Sequence, residues 1–309
     1  MWTSGQRLEL LCEIKEEAVK HRQKRPGRKP AEEDDCGLPR SARRAVLRAL
    51  REGALSKASK ILLAWDCGTL GPEADDALRE LHPAADPPVL PEAPAPDIED
   101  FEAADIARAL KSFPPGSGAG PSGLMAAHLP HDSGAETADL HVALAALCSE
   151  FARGKLPADQ RDLFCGARLI ALSKKPAGVR PIAIGETLLR LAAKCLVARY
   201  QAAAVEYLAP LQLGVGIPGA TECIIHRVKE WMHSGVPADH ALVLLDFSNA
   251  FNTLDRSAML RAIALRCPHF LPYARFCYEQ PTPLFRASGH IESRKGTSKA
   301  TFAGPSSLQ

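Results

Sequence analysis

Apolar residues recur along much of the chain at spacings of three and four, the repeat that lines one face of an α-helix. In 7–20, Leu8, Leu11, Cys12, Lys15 and Val19 mostly share a face. The stretches 41–81 (broken by Gly and Pro at 68–72), 98–113, 137–153, 187–207, 222–232 and 254–266 read as further helices. Their ends carry matching punctuation. Pro114 and Pro115 stop the 98–113 stretch, and Gly154 follows the strongly apolar 137–153. Asp255 stands immediately before a helical run, where an aspartate caps free amides. The longest helix, 187–207, places Leu188, Leu191, Cys195 and Ala198 on its apolar face and Arg190 and Lys194 along another.

Other segments follow a strand pattern. CGARLIAL (165–172) and VRPIAI (179–184) flank a short SKKPAG turn and predict a β-hairpin. Ala241 to Leu245 is an unbroken Leu/Val-rich run, which predicts a strand buried at a sheet centre with Asp246 at its end. Weak strand signals lie in 283–309 before the chain turns to small polar residues. Helices with a small sheet place the chain in the α+β class. A cationic block followed by an acidic one fills 20–35, and a proline-rich run covers 82–97, an extended connector. The organisation expected is a helix and charged linker (1–35), a helical region with its proline connector (36–97), and a main domain (98–309).

Composition narrows the class without naming it. The 309 residues are 46% hydrophobic and 24% charged, ordinary values for a globular protein. Net charge is +2, so a nucleic-acid surface has to come from local clustering. Nine cysteines are scattered with no Cys-x-x-Cys pair, against a zinc finger. No signal peptide and no apolar run of membrane-spanning length is present in the sequence, which leads to an expectation of an intracellular protein, in nucleus or cytoplasm.

Two clusters carry candidate chemistry. A carboxylate at the end of a buried strand is costly unless hydrated, paired or bound to a cation, so Asp246 is a candidate ligand for a hard ion such as Mg2+. The alternative is a helix cap, a place Asp255 fits better. Lys174, Lys175 and Arg180 gather at the tip and return strand of the hairpin, a cationic edge able to grip phosphate, with an exposed charged turn as the plainer reading. The glycine-rich loops 116–123 and 214–219 lack P-loop spacing and read as turns.

Taken in order, these blocks resemble the reverse transcriptases of non-LTR (LINE-type) retrotransposons. GSGAGPSGLMAAHL (116–129) is similar to the loop block before the fingers, and ARLIALSKKPAGVRPIAIGETLLRLAAK (167–194) to the fingers hairpin and its helix. LQLGVGIPGATECIIHRVKEW (211–231) resembles the next block, VLLDFSNAFNTLDRSAML (243–260) polymerase motif A, and 277–308 the approach to motif B. The stretch 41–82 resembles the helical lead-in of the group. The resemblance implies a partial right-hand polymerase, fingers and incomplete palm with a helical N-terminal extension. It implies an RNA template, a DNA primer, an incoming dNTP and Mg2+, with Asp246 as the catalytic aspartate and the Phe247 carbonyl as a metal ligand. Lys174, with Lys175 as its alternative, and Arg180 would contact the triphosphate, Phe251 would screen the 2′-hydroxyl, and Gln212 would belong to the template side. His226 is read as a packed helix residue.

The departures from the family pattern are specific. Around motif B, Gly296, Gly304 and Pro305 are in place, but Lys299, Ala300, Thr301 and Phe302 occupy the centre. After Asp246 the remaining acids are Asp255, Glu279 and Glu292, and none forms an Asp-Asp turn. The expectation is therefore a polymerase fragment without activity as an isolated chain, with a non-catalytic RNA-binding module or a relic as the alternatives. An unpaired apolar palm strand also predicts marginal solubility.

Overall fold

The computed structural model describes residues 40–51, 69–94, 96–114, 116–132, 134–174, 178–214, 217–236 and 239–297. The chain divides into two compact units, Met1–Gly68 and Thr69–Gln309. In the first, α1 (Arg40–Arg51) is a basic helix with Val46 buried. The expected helix at 7–20 and the charged stretch at 20–35 lie outside the described residues.

The second unit is α+β. It runs β1 (Thr69–Leu70), α2 (Asp75–Leu81), α3 (Ala103–Lys111), α4 (Ala138–Arg153), α5 (Arg161–Cys165), β2 (Ala167–Ser173), β3 (Val179–Gly185) and α6 (Thr187–Leu208). Then follow α7 (Ala220–His233), α8 (Ala250–Thr253), α9 (Arg256–Arg266), α10 (Leu271–Tyr278), β4 (Thr282–Arg286) and β5 (Gly289–Ser293). The second unit begins at Thr69, so the proline-rich stretch 82–97 lies inside it, between α2 and α3. The connector is extended, as its prolines require, but docked: Leu90 and Ala93 pack on Leu260 and Leu271, and the Val89 amide donates to Ser257 Oγ at 3.0 Å.

Strand β2 organises the sheet. It pairs antiparallel with β3 along its whole length, from Ala167 opposite Gly185 to Ser173 opposite Val179. Its other edge is shared: β1 pairs antiparallel at Leu172 and Ala171, and β4 pairs parallel at Ala167 and Arg168. A two-residue turn joins β4 to β5. Side chains alternate across a strand. Ala167, Leu169 and Ala171 therefore share one face and bury against Leu78 of α2 with Leu284 and Ile291. An ion pair fastens this layer, Arg286 Nε to Asp75 Oδ1 at 2.7 Å, and Ser288 donates to the other carboxylate oxygen.

The larger core lies among α3, α4, α6 and α10. Ile106, Leu110, Phe151, Leu191, Leu196 and Tyr273 are fully buried there, each contributing about 1.5–3 kcal/mol by removal of its apolar surface from water. Helix α4 ends on Gly154 at φ 65°, the left-handed position its sequence foretold, with the Pro272 carbonyl 2.8 Å from where a Cβ would stand. On α6, Leu191 and Cys195 are buried as expected, but Ala198 is exposed and Leu189, Ala192, Ala193 and Leu196 fill the face instead. Arg190 and Lys194 lie over the Phe113 ring at 5.2 and 4.8 Å, so both are committed to the core's rim. Among the described residues, no helix is long and apolar enough to cross a membrane.

Candidate functional site

The hairpin of β2 and β3 forms where its alternating pattern predicts. The register gives it a distinct outer face: Arg168 opposite Ile184, Ile170 opposite Ile182, and Leu172 opposite Arg180. The Lys174 amide donates to the Gly178 carbonyl at 2.9 Å, which continues that register and puts Lys174 on the same face, diagonal to Arg180. Lys174, Arg180 and Arg168 are exposed, and no carboxylate forms an ion pair with them among the described residues. The result is an apolar strip with one cation at its inner end and two at its tip. Lys175 lies outside the described residues.

The glycine loop closes the inner end of this face. A Cβ on Gly118 would stand 3.1 Å from Ile184 Cδ1 and 3.6 Å from Arg168 Nη2. At Gly120 a Cβ would meet the Gly185 carbonyl and Glu186 Cα, both at 2.8 Å, so only glycine permits the approach. The loop is held by Glu186, which is buried and accepts from the Ser122 amide at 2.6 Å and the Ser122 hydroxyl at 2.7 Å. Thr187 Oγ1 donates to the Leu124 carbonyl, and Arg190 donates to the Gly118 carbonyl. The loop's contacts go to the start of α6 and stiffen the hairpin's root.

The second candidate segment departs from expectation. Residues 241–247 form no strand: they are exposed, and no backbone hydrogen bond reaches them among the described residues. The physical reason lies in the sheet. Strand β2 already has β3 on one edge and β1 and β4 on the other, so this apolar run has no slot beside it. Asp246 is consequently a solvent-facing carboxylate and not the end of a buried strand. Phe247 is 74% exposed and Phe251 is 54% exposed. Gln212 Oε1 accepts from the Gly214 amide at 2.6 Å in an exposed loop. His226, expected to be packed, is exposed on α7. No hydrogen bond or ion pair joins Asp246 to Lys174 or Arg180 among the described residues.

The residues after Asp246 are firmly placed. Asn249 adopts φ 53°, unusual outside glycine, and its Nδ2 donates to the Leu81 carbonyl at the end of α2 at 2.7 Å. Asp255 caps α9 by accepting from the Ala258 amide at 2.7 Å, the role its position predicts. Gly296, at φ 75°, lies against the backbone of Phe251 and Asn252, with its amide donating to the Leu254 carbonyl at 2.8 Å and the Thr297 amide to the Phe251 carbonyl at 2.7 Å. The start of the motif-B-like stretch thus packs on the turn that follows Asp246; Lys299, Ala300, Thr301, Phe302, Gly304 and Pro305 lie outside the described residues.

Sequence reasoning missed the two arginines that build this corner. Arg256 is buried with no carboxylate partner among the described residues. It donates to the Gly296 carbonyl at 2.9 Å, Ser293 at 2.9 Å and Gln280 at 3.0 Å. Desolvation pushes its pKa down to about 10, with the nearby Arg161 charge adding to the fall. Arg161 donates to the carbonyls of Phe276, Cys277, Gln280 and Pro281 in the same way. Arg161 also pairs with the neighbouring Asp162 at 3.1 Å, but no local signal marks either arginine, because the carbonyls that receive them lie more than twenty positions away.

These residues do not assemble a divalent-metal site. Among the described residues no group of three or more His, Cys, Asp or Glu is placed to hold an ion. Two-ion phosphoryl transfer needs several carboxylates around two cations. Among the described residues, the Mg2+ that the resemblance implies has no fitting ligand set. In comparison with known proteins, the chain matches no family model and no curated protein.

Proposed function

We propose that the chain is a fingers-and-early-palm portion of an RNA-directed DNA polymerase that, as it stands, grips the backbone of an RNA template or primer without extending it. The observation that carries this reading is the outer face of the hairpin: Lys174 and Arg180 held on one side of β2 and β3 by register, exposed and, among the described residues, without a carboxylate in an ion pair with them. Lysine and arginine so placed attract phosphate as a point charge and a two-pronged donor. The isoleucine strip between them and Arg168 offers an apolar surface for sugar and base. Template, primer and dNTP are the ligand classes that the sequence resemblance supplies.

The reading is tested by fluorescence anisotropy on a labelled primed RNA template at two salt concentrations. Binding is expected to weaken with salt. Lys174→Ala with Arg180→Ala is expected to lower affinity about ten-fold at low salt and reduce the slope of log affinity against log salt by about one to two. Equal binding by wild type and the double variant would remove the hairpin from the site. Primer extension with Mg2+ is expected to give no incorporation; incorporation that Asp246→Asn abolishes would show instead that a working catalytic centre forms.

A further inference from the structure

The segment 240–247 is the least explained surface of the molecule. Leu242, Val243, Leu244, Leu245 and Phe247 are between 51% and 86% exposed, and none of the segment's backbone donors or acceptors is paired among the described residues. A row of unpaired amides and carbonyls bearing apolar side chains is a template for another strand. The chain's own sheet does not supply one at β2, whose edges are taken. The free edge of β3 is interrupted by Pro181, which lacks an amide donor.

The sequence of the segment is complementary to itself. Reversed and laid against a second copy with Val243 opposite Val243, it sets Leu242 against Leu244, Ala241 against Leu245, and His240 against Asp246. Residues directly opposite share a face, so one side of the ribbon carries four leucines flanked by two imidazole–carboxylate pairs. The other side carries Ala241, Val243 and Leu245 from each copy. A shift of one residue sets Asp246 against Asp239 in one direction and against Ala241 in the other. Both lose the pair and move every side chain to the opposite face. Charge therefore selects one register, and that register is two-fold symmetric.

We infer that 240–246 is a homotypic interface, through which two copies of the chain associate as a closed antiparallel strand pair centred on Val243. A two-fold strand pair uses the same patch on both copies and satisfies the two edges that face each other, the isologous geometry of a dimer. The inference is independent of the nucleic-acid reading, since it uses neither Lys174 nor Arg180.

Sedimentation equilibrium of the full chain over about 1–50 μM tests it. A monomer–dimer equilibrium is expected for wild type. His240→Asp sets carboxylate against carboxylate twice per dimer, and is expected to raise the dissociation constant about 5- to 30-fold, from two cross-strand pairs each changed from attraction to repulsion. Combining His240→Asp with Asp246→His restores the opposite pairing and is expected to return the constant to within about three-fold of wild type. Val243→Pro, which removes a central donor, is expected to leave monomer, with unchanged far-ultraviolet circular dichroism showing that the fold persists. A monomeric wild type at 50 μM, open-ended assembly, an indifferent His240→Asp, or a double variant no better than the single each overturns the inference.

Discussion

Replacing Arg256 tests how the corner beside Asp246 is held. The guanidinium reaches four carbonyls, those of Gly296, Ser293 and Gln280 at 2.9 to 3.0 Å and that of Tyr278 at 3.4 Å. Lysine would keep the charge and lose the fork, since one ammonium on a flexible stem cannot span them all. The Gln280 carbonyl would retain Arg161 at 3.0 Å, leaving those of Gly296 and Ser293 to compete for one donor group. A buried polar group left unsatisfied costs about 1–3 kcal/mol, so Arg256→Lys is expected to destabilise the second unit by about 2–4 kcal/mol. Arg256→Met strands the same carbonyls but also removes a desolvated charge that stands near Arg161, so its cost is expected to be about 1 kcal/mol smaller. Urea unfolding followed by circular dichroism, extrapolated linearly to water, reads both. A lysine variant within about 0.5 kcal/mol of wild type would refute the idea that fork geometry, and not charge alone, places Gly296 on the turn after Asp246.

Three more expectations follow from the same structure. Gly120→Ala forces a methyl group within 2.8 Å of the Gly185 carbonyl and should displace the loop from buried Glu186 at a cost of about 2–4 kcal/mol, read by the urea midpoint. His82 is buried with Nδ1 bonded to the Leu78 carbonyl at 2.7 Å, and burial holds its pKa below the ordinary 6.5. The unfolded chain takes up that proton first, so stability should be full above about pH 6.5 and fall as pH drops below it; His82→Gln should flatten this part of a midpoint-against-pH curve. Asp255→Ala removes the cap bond to the Ala258 amide and should cost about 1 kcal/mol by thermal unfolding, whereas Asp255→Ser should recover most of it.

The elements legible in the sequence are those whose signals are local. The hairpin's alternation, Gly154 after α4 and Asp255 before α9 each declare themselves within a few residues, and the structure places them as read. The run 241–245 misleads because an apolar sequence reports what a segment would gain from burial, not whether a neighbour is there to bury it. Proline content correctly marks 82–97 as extended, yet says nothing of Leu90 and Ala93 docking on α9 and α10. Of the candidate site, the pairing of Lys174 with Arg180 on one face follows from strand register and was readable. The two carbonyl-binding arginines were not, since neither carries a motif and their acceptors come from distant turns.

Strand β2 also sets an order in which the fold can be built. Its pairing with β3 needs only a short loop to close, so a growing or refolding chain can form that hairpin early. Its pairing with β4 waits for residues more than a hundred positions further on, and Arg161 waits with it, because the carbonyls that receive its guanidinium lie at 276–281. Until those residues arrive, α5 carries a cation destined for burial with only the exposed carboxylate of Asp162, at 3.1 Å, to answer it. Any chain interrupted between β3 and β4 is thus left with half a sheet and a guanidinium without its carbonyl acceptors, a state for quality control to detect.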